Sequence, residues 1–309
     1  MNGPAISVEG LTKSYDGVEA VRGIRLEVEV GEVFAFLGPN GAGKTTTVEI
    51  LEGFRDRSAG EVRVLGVDPA RGGREWRDRI GVVLQESQPA VDLSVCECLQ
   101  LYAGYYSAPR GIGETIALVG LEDKADASVG ELSGGQRRRL DVALALIGDP
   151  ELIFLDEPTT GFDPSARRAA WELISNLRAL GRTVFLTTHY MEEAEQLADR
   201  IAVIADGRIV AEGTPGAIGG RDRMATTIRF TLPAGVPRDD LPARLTVLDE
   251  ATVDGQVVLR SDSPLKELQV LADWALQRGF ELPDIDVRRP ALEDIYLSLT
   301  EHRESRSAP

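Results

Sequence analysis

The segment "GPNGAGKT", residues 38–45, carries the most specific pattern in the chain, and it directly follows the apolar run "VFAFL" at 33–37. It matches the spacing G-x-x-x-x-G-K-[ST], in which glycines let successive backbone N–H groups point at phosphate oxygens. The apolar run predicts a buried strand, and "KTTTVEIL" predicts a helix whose N-terminus adds a positive dipole end. Residues 33–54 therefore predict a strand, a phosphate-binding loop and a helix, as in an α/β P-loop nucleotide-binding fold.

Within this phosphate loop, residues 38–45, two side chains have specific predicted roles. Lys44 is expected to reach the β- and γ-phosphates of a nucleotide, and the hydroxyl of Thr45 is expected to ligate Mg²⁺. The other predicted nucleotide-binding positions of this segment are Gly38, Pro39, Asn40, Gly41, Ala42, Gly43 and Thr46.

A second motif, "LIFLDE" at 152–157, ends an apolar strand with two carboxylates. Asp156 is placed to hold Mg²⁺, directly or through water, and Glu157 is placed beside the γ-phosphate to orient or deprotonate the attacking water. An ordinary glutamate has a pKa of about 4.3 and is a weak base at pH 7, so orientation and charge placement matter most. The alternative, that both carboxylates only cap the next helix, is disfavoured by the phosphate loop upstream.

Length and composition exclude several classes of protein. A chain of 309 residues predicts a main domain of about two hundred residues plus a smaller one. The net charge of −16 disfavours nucleic acid as a partner. The apolar runs are strand-sized, and the start "MNGPAISVEGL" lacks a signal-peptide pattern, so the expected location is cytoplasmic. Cys96 and Cys98 are interpreted as buried or half-buried thiols rather than a metal site.

The order of patterns along the chain predicts two domains. Residues 1–220 are expected to form a mixed central sheet with an antiparallel β subdomain and a mostly helical subdomain at about 89–147. From 221 to 309 the order is strand, weak helix ("RDDLPAR", 238–244), strand ("LTVL", 245–248), strand, helix, strand and a final helix. This order predicts a small ferredoxin-like α+β domain with an accessory or regulatory role.

A third motif, "LSGGQ" at 132–136, here called the signature loop, precedes an amphipathic stretch. Gly134 and Gly135 before a helix form another nest of backbone N–H groups, and Ser133 adds a hydroxyl donor. The sequence therefore predicts a second half-site for a γ-phosphate. The run 137–139 of three arginines is interpreted as a solvated helix face or as structural residues at a dimer seam.

These three motifs, in this order, resemble the ATP-binding cassette (ABC) ATPases over about residues 5–218. The resemblance implies that the signature loop of one subunit closes over ATP held by the phosphate loop of another. Ser133, Gly134, Gly135 and Gln136 would then bind the partner's ATP. A head-to-tail dimer of two copies, sandwiching two ATP molecules, is the implied assembly.

Further positions match the ABC pattern residue by residue. Tyr15 in "SYDGVEAV" resembles the aromatic residue that stacks on adenine, and Gln85 in "GVVLQ" resembles the glutamine that contacts Mg²⁺ and water. Asp163 in "TTGFDP" resembles the aspartate that crosses the dimer seam. His189 in "LTTHYMEEAE" resembles the switch histidine that contacts the γ-phosphate. Phe162 stands where family members usually carry leucine.

Three functions compete at this stage: an exporter ATPase subunit working with a separate permease, a soluble ABC protein of translation or DNA maintenance, and an ATP-gated regulatory protein. The single cassette without a long insertion counts against the second, and the intact Glu157 and His189 count against the third. The ending "RRPALEDIYLSLT", 288–300, resembles exporter ATPases of the daunorubicin-resistance type. The resemblance implies a bacterial exporter of drugs, antibiotics or lipid-like cargo, with this chain at the cytoplasmic face of the plasma membrane.

Overall fold

The computed structural model describes residues 3–83, 91–233, 235–245, 256–289 and 292–296, which fall into two compact units, Met1–Pro215 and Gly216–Pro309. The strands of the first unit are β1 (Ile6–Tyr15), β2 (Val18–Val28), β3 (Val33–Leu37), β4 (Ala59–Val64), β5 (Ile80–Val83), β6 (Leu152–Asp156), β7 (Thr183–Thr188), β8 (Arg200–Ala205) and β9 (Arg208–Gly213). Its helices are α1 (Lys44–Leu51), α2 (Arg74–Arg77), α3 (Val95–Ala103), α4 (Ile112–Leu118), α5 (Gly134–Leu146), α6 (Pro164–Ala179) and α7 (Met191–Leu197).

The central sheet of the first unit has the order β5-β6-β7-β3-β8-β9. Its first five strands are parallel and β9 is antiparallel, so the predicted mixed sheet is confirmed. All five residues of β3 are buried, as its apolar run predicts. The ring of Phe185 on β7 lies 5.6 Å from that of Phe34 and 5.7 Å from that of Phe154 between ring centroids, which ties three neighbouring strands together. The carboxyl ends of β6, β7 and β3 therefore meet at one edge, where open α/β sheets bind ligands.

The predicted antiparallel and helical parts are also present. A three-stranded antiparallel sheet has the order β2-β1-β4, and its Ile6, Leu11 and Val28 share one apolar core with Phe34 and Phe36 of the central sheet. Between β5 and β6 the chain forms α3, α4 and α5. The signature loop, where α5 begins, is therefore separated in sequence from both β3 and β6.

The second unit contains β10 (Thr226–Thr231), β11 (Gln256–Ser261), α8 (Pro264–Arg278) and β12 (Asp286–Arg288), with residues 292–296 also helical. Its antiparallel sheet has the order β11-β10-β12 and buries Ile228, Phe230 and Leu259 against Leu271 of α8.

The expected helix at 238–244 is wrong, because only one 3₁₀ turn forms, at Arg238–Asp240. Pro242 is the physical reason, since a proline disfavours helical backbone at the residue before it. The expected strand "LTVL" has only Leu245 within the described residues, so the ferredoxin-like arrangement stays a prediction. No helix in the described ranges has both the length and the apolar character needed to cross a bilayer.

Candidate active site

The phosphate loop connects β3 to α1, and two of its glycines are required by close backbone approach. A Cβ at Gly38 would lie 2.5 Å from the carbonyl oxygen of Ile204, and one at Gly43 would lie 2.5 Å from the carbonyl oxygen of Ala20. Gly43 also has a φ of 103°, in the region that favours glycine. A larger side chain would push the phosphate loop away from β8 at Gly38 or from β2 at Gly43, so these glycines allow the loop to keep its position.

Lys44 lies at the first position of α1 with only 6% of its surface exposed. Its Nζ donates to the carbonyl oxygens of Gly38 at 2.7 Å and Pro39 at 3.2 Å. Burial lowers the pKa of Lys44, and the charges of Glu157 and Asp156 oppose that shift. An ammonium has three N–H donors, so one donor of Lys44 remains for a phosphate oxygen. Because the buried ammonium is poorly hydrated, an anion beside it stabilises it strongly.

Asp156 and Glu157 are anchored by the neighbouring strand β7. One carboxylate oxygen of Asp156 accepts a hydrogen bond from the hydroxyl of Thr187 at 2.5 Å. The backbone N–H of Glu157 lies 3.1 Å from both the carbonyl and the hydroxyl oxygen of Thr187. Thr187 thus holds the carboxylate of Asp156 and the backbone of Glu157 from the adjacent strand.

The carboxylate of Glu157 has a neighbour on each side. Its Oε2 accepts a hydrogen bond from the hydroxyl of Thr160 at 3.1 Å, and its Oε1 lies 3.3 Å from Nδ1 of His189. The side chain of Glu157 is 14% exposed, whereas that of His189 is 41% exposed. The predicted catalytic glutamate and switch histidine are therefore brought together, with the histidine on the outer side.

A cavity of 620 Å³, within the usual range for small-molecule sites, opens over these groups. It is lined by Ala20, Asn40, Gly41, Gly43, Lys44, Thr45, Thr46, Asp156, Glu157 and His189. Nine of these ten were predicted, and Ala20 is added because β2 passes against Gly43. We call this space the phosphate-loop cavity.

Other predicted site residues lie elsewhere or outside the described ranges. Gln85 falls in 84–90, which the structure does not describe. The exposed ring of Tyr15, at the end of β1, has Nζ of Lys13 5.0 Å and Cζ of Arg55 5.3 Å from its centroid. Tyr15 is not among the residues that line the phosphate-loop cavity.

The signature loop lies at the N-terminus of α5, where Ser133 and Gln136 form a capping box. The N–H of Gln136 donates to Oγ of Ser133 at 3.3 Å, and the N–H of Ser133 donates to Oε1 of Gln136 at 3.0 Å. In the same way Oδ1 of Asp163 caps α6, accepting from the N–H groups of Ser165 at 2.8 Å and Ala166 at 3.0 Å. These side chains are therefore engaged in ordering two helix N-termini.

Both helix N-termini face a second cavity, of 730 Å³, which we call the signature cavity. It is lined by Ser133, Gly134, Gly135, Gln136, Arg139, Thr160, Gly161, Phe162, Asp163, Ser165, Ala166 and Ala169. Among the described residues, the two cavities have no lining residue in common. Within one subunit the two predicted half-sites therefore line different cavities, which adjoin where Thr160 of the signature cavity donates a hydrogen bond to Glu157 of the phosphate-loop cavity.

Sequence reasoning missed Thr187, Thr160 and Glu52 near this site. Thr187 had a signal, as a hydroxyl near the end of the apolar strand "TVFLTTH". No sequence pattern indicated Glu52, because this residue is buried by packing at the end of α1, where it is only 5% exposed. Burial, with Asp156 and Glu49 nearby, raises the pKa of Glu52 to about 8.

Comparisons with known proteins place this geometry in a family. The family model "ABC transporter" matches residues 21–160, and "ABC transporter domain-containing protein-like, C-terminal domain" matches 226–291. The Nod factor export ATP-binding protein I of Ralstonia nicotianae is 39% identical, over 96% of this chain and 94% of its own. The daunorubicin resistance ATP-binding protein DrrA3 of Streptomyces coeruleorubidus is also 39% identical, over 96% of both chains.

Solved structures agree. The cbiO1 protein of Clostridium perfringens, part of the ABC transporter complex cbiONQ, is 30% identical with a TM-score of 0.65, over 70% of this chain and 90% of that one. A dimeric ATP-binding cassette in a post-hydrolysis state with ADP and Pi is 26% identical with a TM-score of 0.61, over 68% and 98%. This chain therefore belongs to the ABC transporter family, as one of its ATP-binding, ATP-hydrolysing subunits.

Proposed function

We propose that this chain powers a bacterial exporter by hydrolysing Mg²⁺-bound ATP between two copies of itself, for a cargo that is a drug, an antibiotic or a lipid-like compound. The observation that carries the proposal is that one subunit presents two incomplete nucleotide sites in two different cavities. The 39% identity to proteins of Nod factor export and daunorubicin resistance supports the direction and class of transport.

The phosphate-loop cavity suits the triphosphate and its metal. The backbone held by Gly38 and Gly43, together with Lys44, would hold the phosphates. Thr45 and Asp156 offer the hard oxygen donors that Mg²⁺ prefers. Mg²⁺, when bound, would neutralise charge on the phosphates.

The remaining predicted residues would act around that centre. Glu157 would orient the attacking water, with His189 beside it contacting the γ-phosphate. Gln85 is proposed to contact the metal and the water, and Tyr15 to stack on adenine once its cationic neighbours shift. These roles are carried over from the family pattern.

Among the described residues that line it, the signature cavity has no lysine and a single carboxylate, that of Asp163, which already caps α6. Two helix N-termini with Arg139 favour an anion held by another subunit. Ser133, Gly134, Gly135 and Gln136 would then complete the partner's ATP site. ATP binding would favour the closed dimer, and hydrolysis would let it open, a population shift set by differential affinity.

The permease is proposed to be a separate membrane chain, which would hold this subunit at the cytoplasmic face of the plasma membrane. Residues 1–220 are the proposed ATPase domain, whose helical subdomain at about 89–147 would contact the permease. Residues 221–309 are the proposed accessory or regulatory domain.

The test is the ATPase rate of purified protein as a function of its concentration. We expect a rate that rises faster than linearly, and we expect Ser133→Arg to abolish that rise by filling the signature cavity. Ser94→Arg is the matched control, because Ser94 caps α3 with the same capping box but does not line the cavity. A linear rate that ignores Ser133→Arg, where the protein is shown to be monomeric, would contradict the proposal.

A further inference from the structure

Arg138 reaches from the signature helix α5 to the segment that carries the catalytic glutamate. Its Nη2 donates to the carbonyl oxygen of Asp156 at 3.0 Å, and its Nε donates to that of Pro158 at 3.3 Å. The side chain is only 11% exposed, so it is not part of a solvated helix face. Its guanidinium therefore binds the backbone on both sides of Glu157.

The backbone of Glu157 needs such support. Its φ of 44° lies in the left-handed region, which is unfavourable for a residue with a Cβ atom. Such a conformation persists where the surroundings impose it, and it clusters at functional sites. Thr187 holds the N–H of Glu157, and Arg138 holds the two flanking carbonyls. The direction in which the Glu157 carboxylate points therefore depends on where Arg138 lies.

Arg138 is also mechanically connected to the signature loop. It lies five residues after Ser133 in the 13-residue helix α5. A helix moves as a nearly rigid rod because its backbone hydrogen bonds run along its whole length. Displacement of the signature loop therefore carries the guanidinium, and with it the carbonyls of Asp156 and Pro158.

We propose that Arg138 is a positioning residue that couples the signature loop to the catalytic Glu157 of the same subunit. Contact of Ser133 with the partner's ATP would then set the orientation of Glu157 toward the subunit's own ATP. This coupling between the two ATP sites rests on the proposed head-to-tail dimer. The fork geometry matters, because a lysine presents a point charge and cannot bridge both carbonyls in one plane.

The test is a double-mutant cycle of Arg138→Lys with Glu157→Gln in the full-length protein, followed by kcat and KM for ATP. We expect Arg138→Lys to lower kcat about tenfold with KM within twofold, because the phosphate loop is untouched. In the Glu157→Gln background the same substitution should change the residual rate less than twofold. A glutamine at this position does not support hydrolysis, so moving its side chain should not lower the rate further.

Arg182→Lys is the matched control. Arg182 donates to the carbonyl oxygen of Pro150 at 3.0 Å and to the carboxylate of Asp149 at 2.6 Å, before the opposite end of β6. We expect it to lower the thermal midpoint but leave kcat within twofold. If Arg138→Lys does not fold, Arg138→Gln enters the same cycle with the same expectation.

Equal losses in both backgrounds, or an equal loss in Arg182→Lys, would overturn the positioning role. Coupling between the sites further predicts a Hill coefficient for ATP above 1, which falls toward 1 in Arg138→Lys but not in Arg182→Lys; a wild-type value of 1 would overturn that part. If the proposed head-to-tail dimer is wrong, a different result shows it: the ATPase rate does not respond to Ser133→Arg.

Discussion

The phosphate-loop cavity and the signature cavity offer a nucleotide opposite kinds of chemistry. The first concentrates charged side chains, with a buried Lys44 facing Asp156 and Glu157. The second presents two helix N-termini, whose capping side chains Ser133 and Asp163 are already hydrogen bonded. This difference fits the proposed division of roles, in which the first cavity would hold the phosphates and the metal and the second would add backbone N–H donors to the ATP of the partner.

The largest expected effect comes from removing the carboxylate of Glu157, which tests whether hydrolysis belongs to the phosphate-loop cavity alone. Glu157→Gln should lower kcat by about 10²–10⁴-fold, the range that a positioned acid or base contributes. ATP binding should be retained and a closed dimer should accumulate, as seen by size-exclusion chromatography with ATP. Glu151→Gln, just before β6 and paired with Arg79, is the control and should keep its turnover. Normal turnover in Glu157→Gln would contradict the assignment.

An effect on binding is expected from Lys44→Ala, which removes the buried cation of the phosphate-loop cavity. Charge-assisted hydrogen bonds contribute about 1.5–3 kcal/mol, so ATP affinity should fall about 10–100-fold. Titration with a fluorescent ATP analogue measures this loss. The exposed Lys124 offers the control Lys124→Ala, which should bind as the wild type does. Equal affinity in both variants would mean that the cavity holds phosphates without Lys44.

The smallest expected effect concerns stability beneath the phosphate-loop cavity. The pKa of Glu52 is raised from 4.5 to about 8, so the folded protein holds this proton more tightly than the unfolded chain. The free energy of unfolding contributed by Glu52 therefore falls as pH rises from about 5 to about 8, and it levels off above that. Glu52→Gln should remove this pH dependence, because the side chain of glutamine does not titrate between pH 5 and pH 9.

Thermal midpoints measured between pH 5 and pH 9 test this expectation. Glu122→Gln, at an exposed glutamate, serves as the control and should keep the slope of the wild type. A slope that Glu52→Gln leaves unchanged would show that Glu52 titrates alike in the folded and unfolded states.

Much of the fold was predictable because it depends on local patterns. Five apolar residues followed by "GPNGAGKT" predict β3, the loop and α1, since the strand and helix periods and the glycine requirement are properties of short segments. The helix expected at 238–244 failed for an equally local reason, the effect of Pro242 on the preceding residue.

The candidate site was predictable in its residue types but not in its contacts. The motifs indicate the chemical roles of four residues, and the structure places all four at one cavity: Lys44, Asp156, Glu157 and His189. The contact of Arg55 with the ring of Tyr15 was not predictable from the motif, because Arg55 lies forty residues further along the chain.

The amino-acid sequence alone indicates which residues are suited to bind phosphate, ligate a metal and orient water, because those properties belong to side chains and to glycine backbone. The folded chain adds that the two half-sites of one subunit line different cavities, and that Arg138 hydrogen bonds to the backbone on both sides of Glu157. The physical reason is that parallel strands bring residues distant in sequence to one edge of a sheet, while the helices inserted between β5 and β6 carry the signature loop to another cavity.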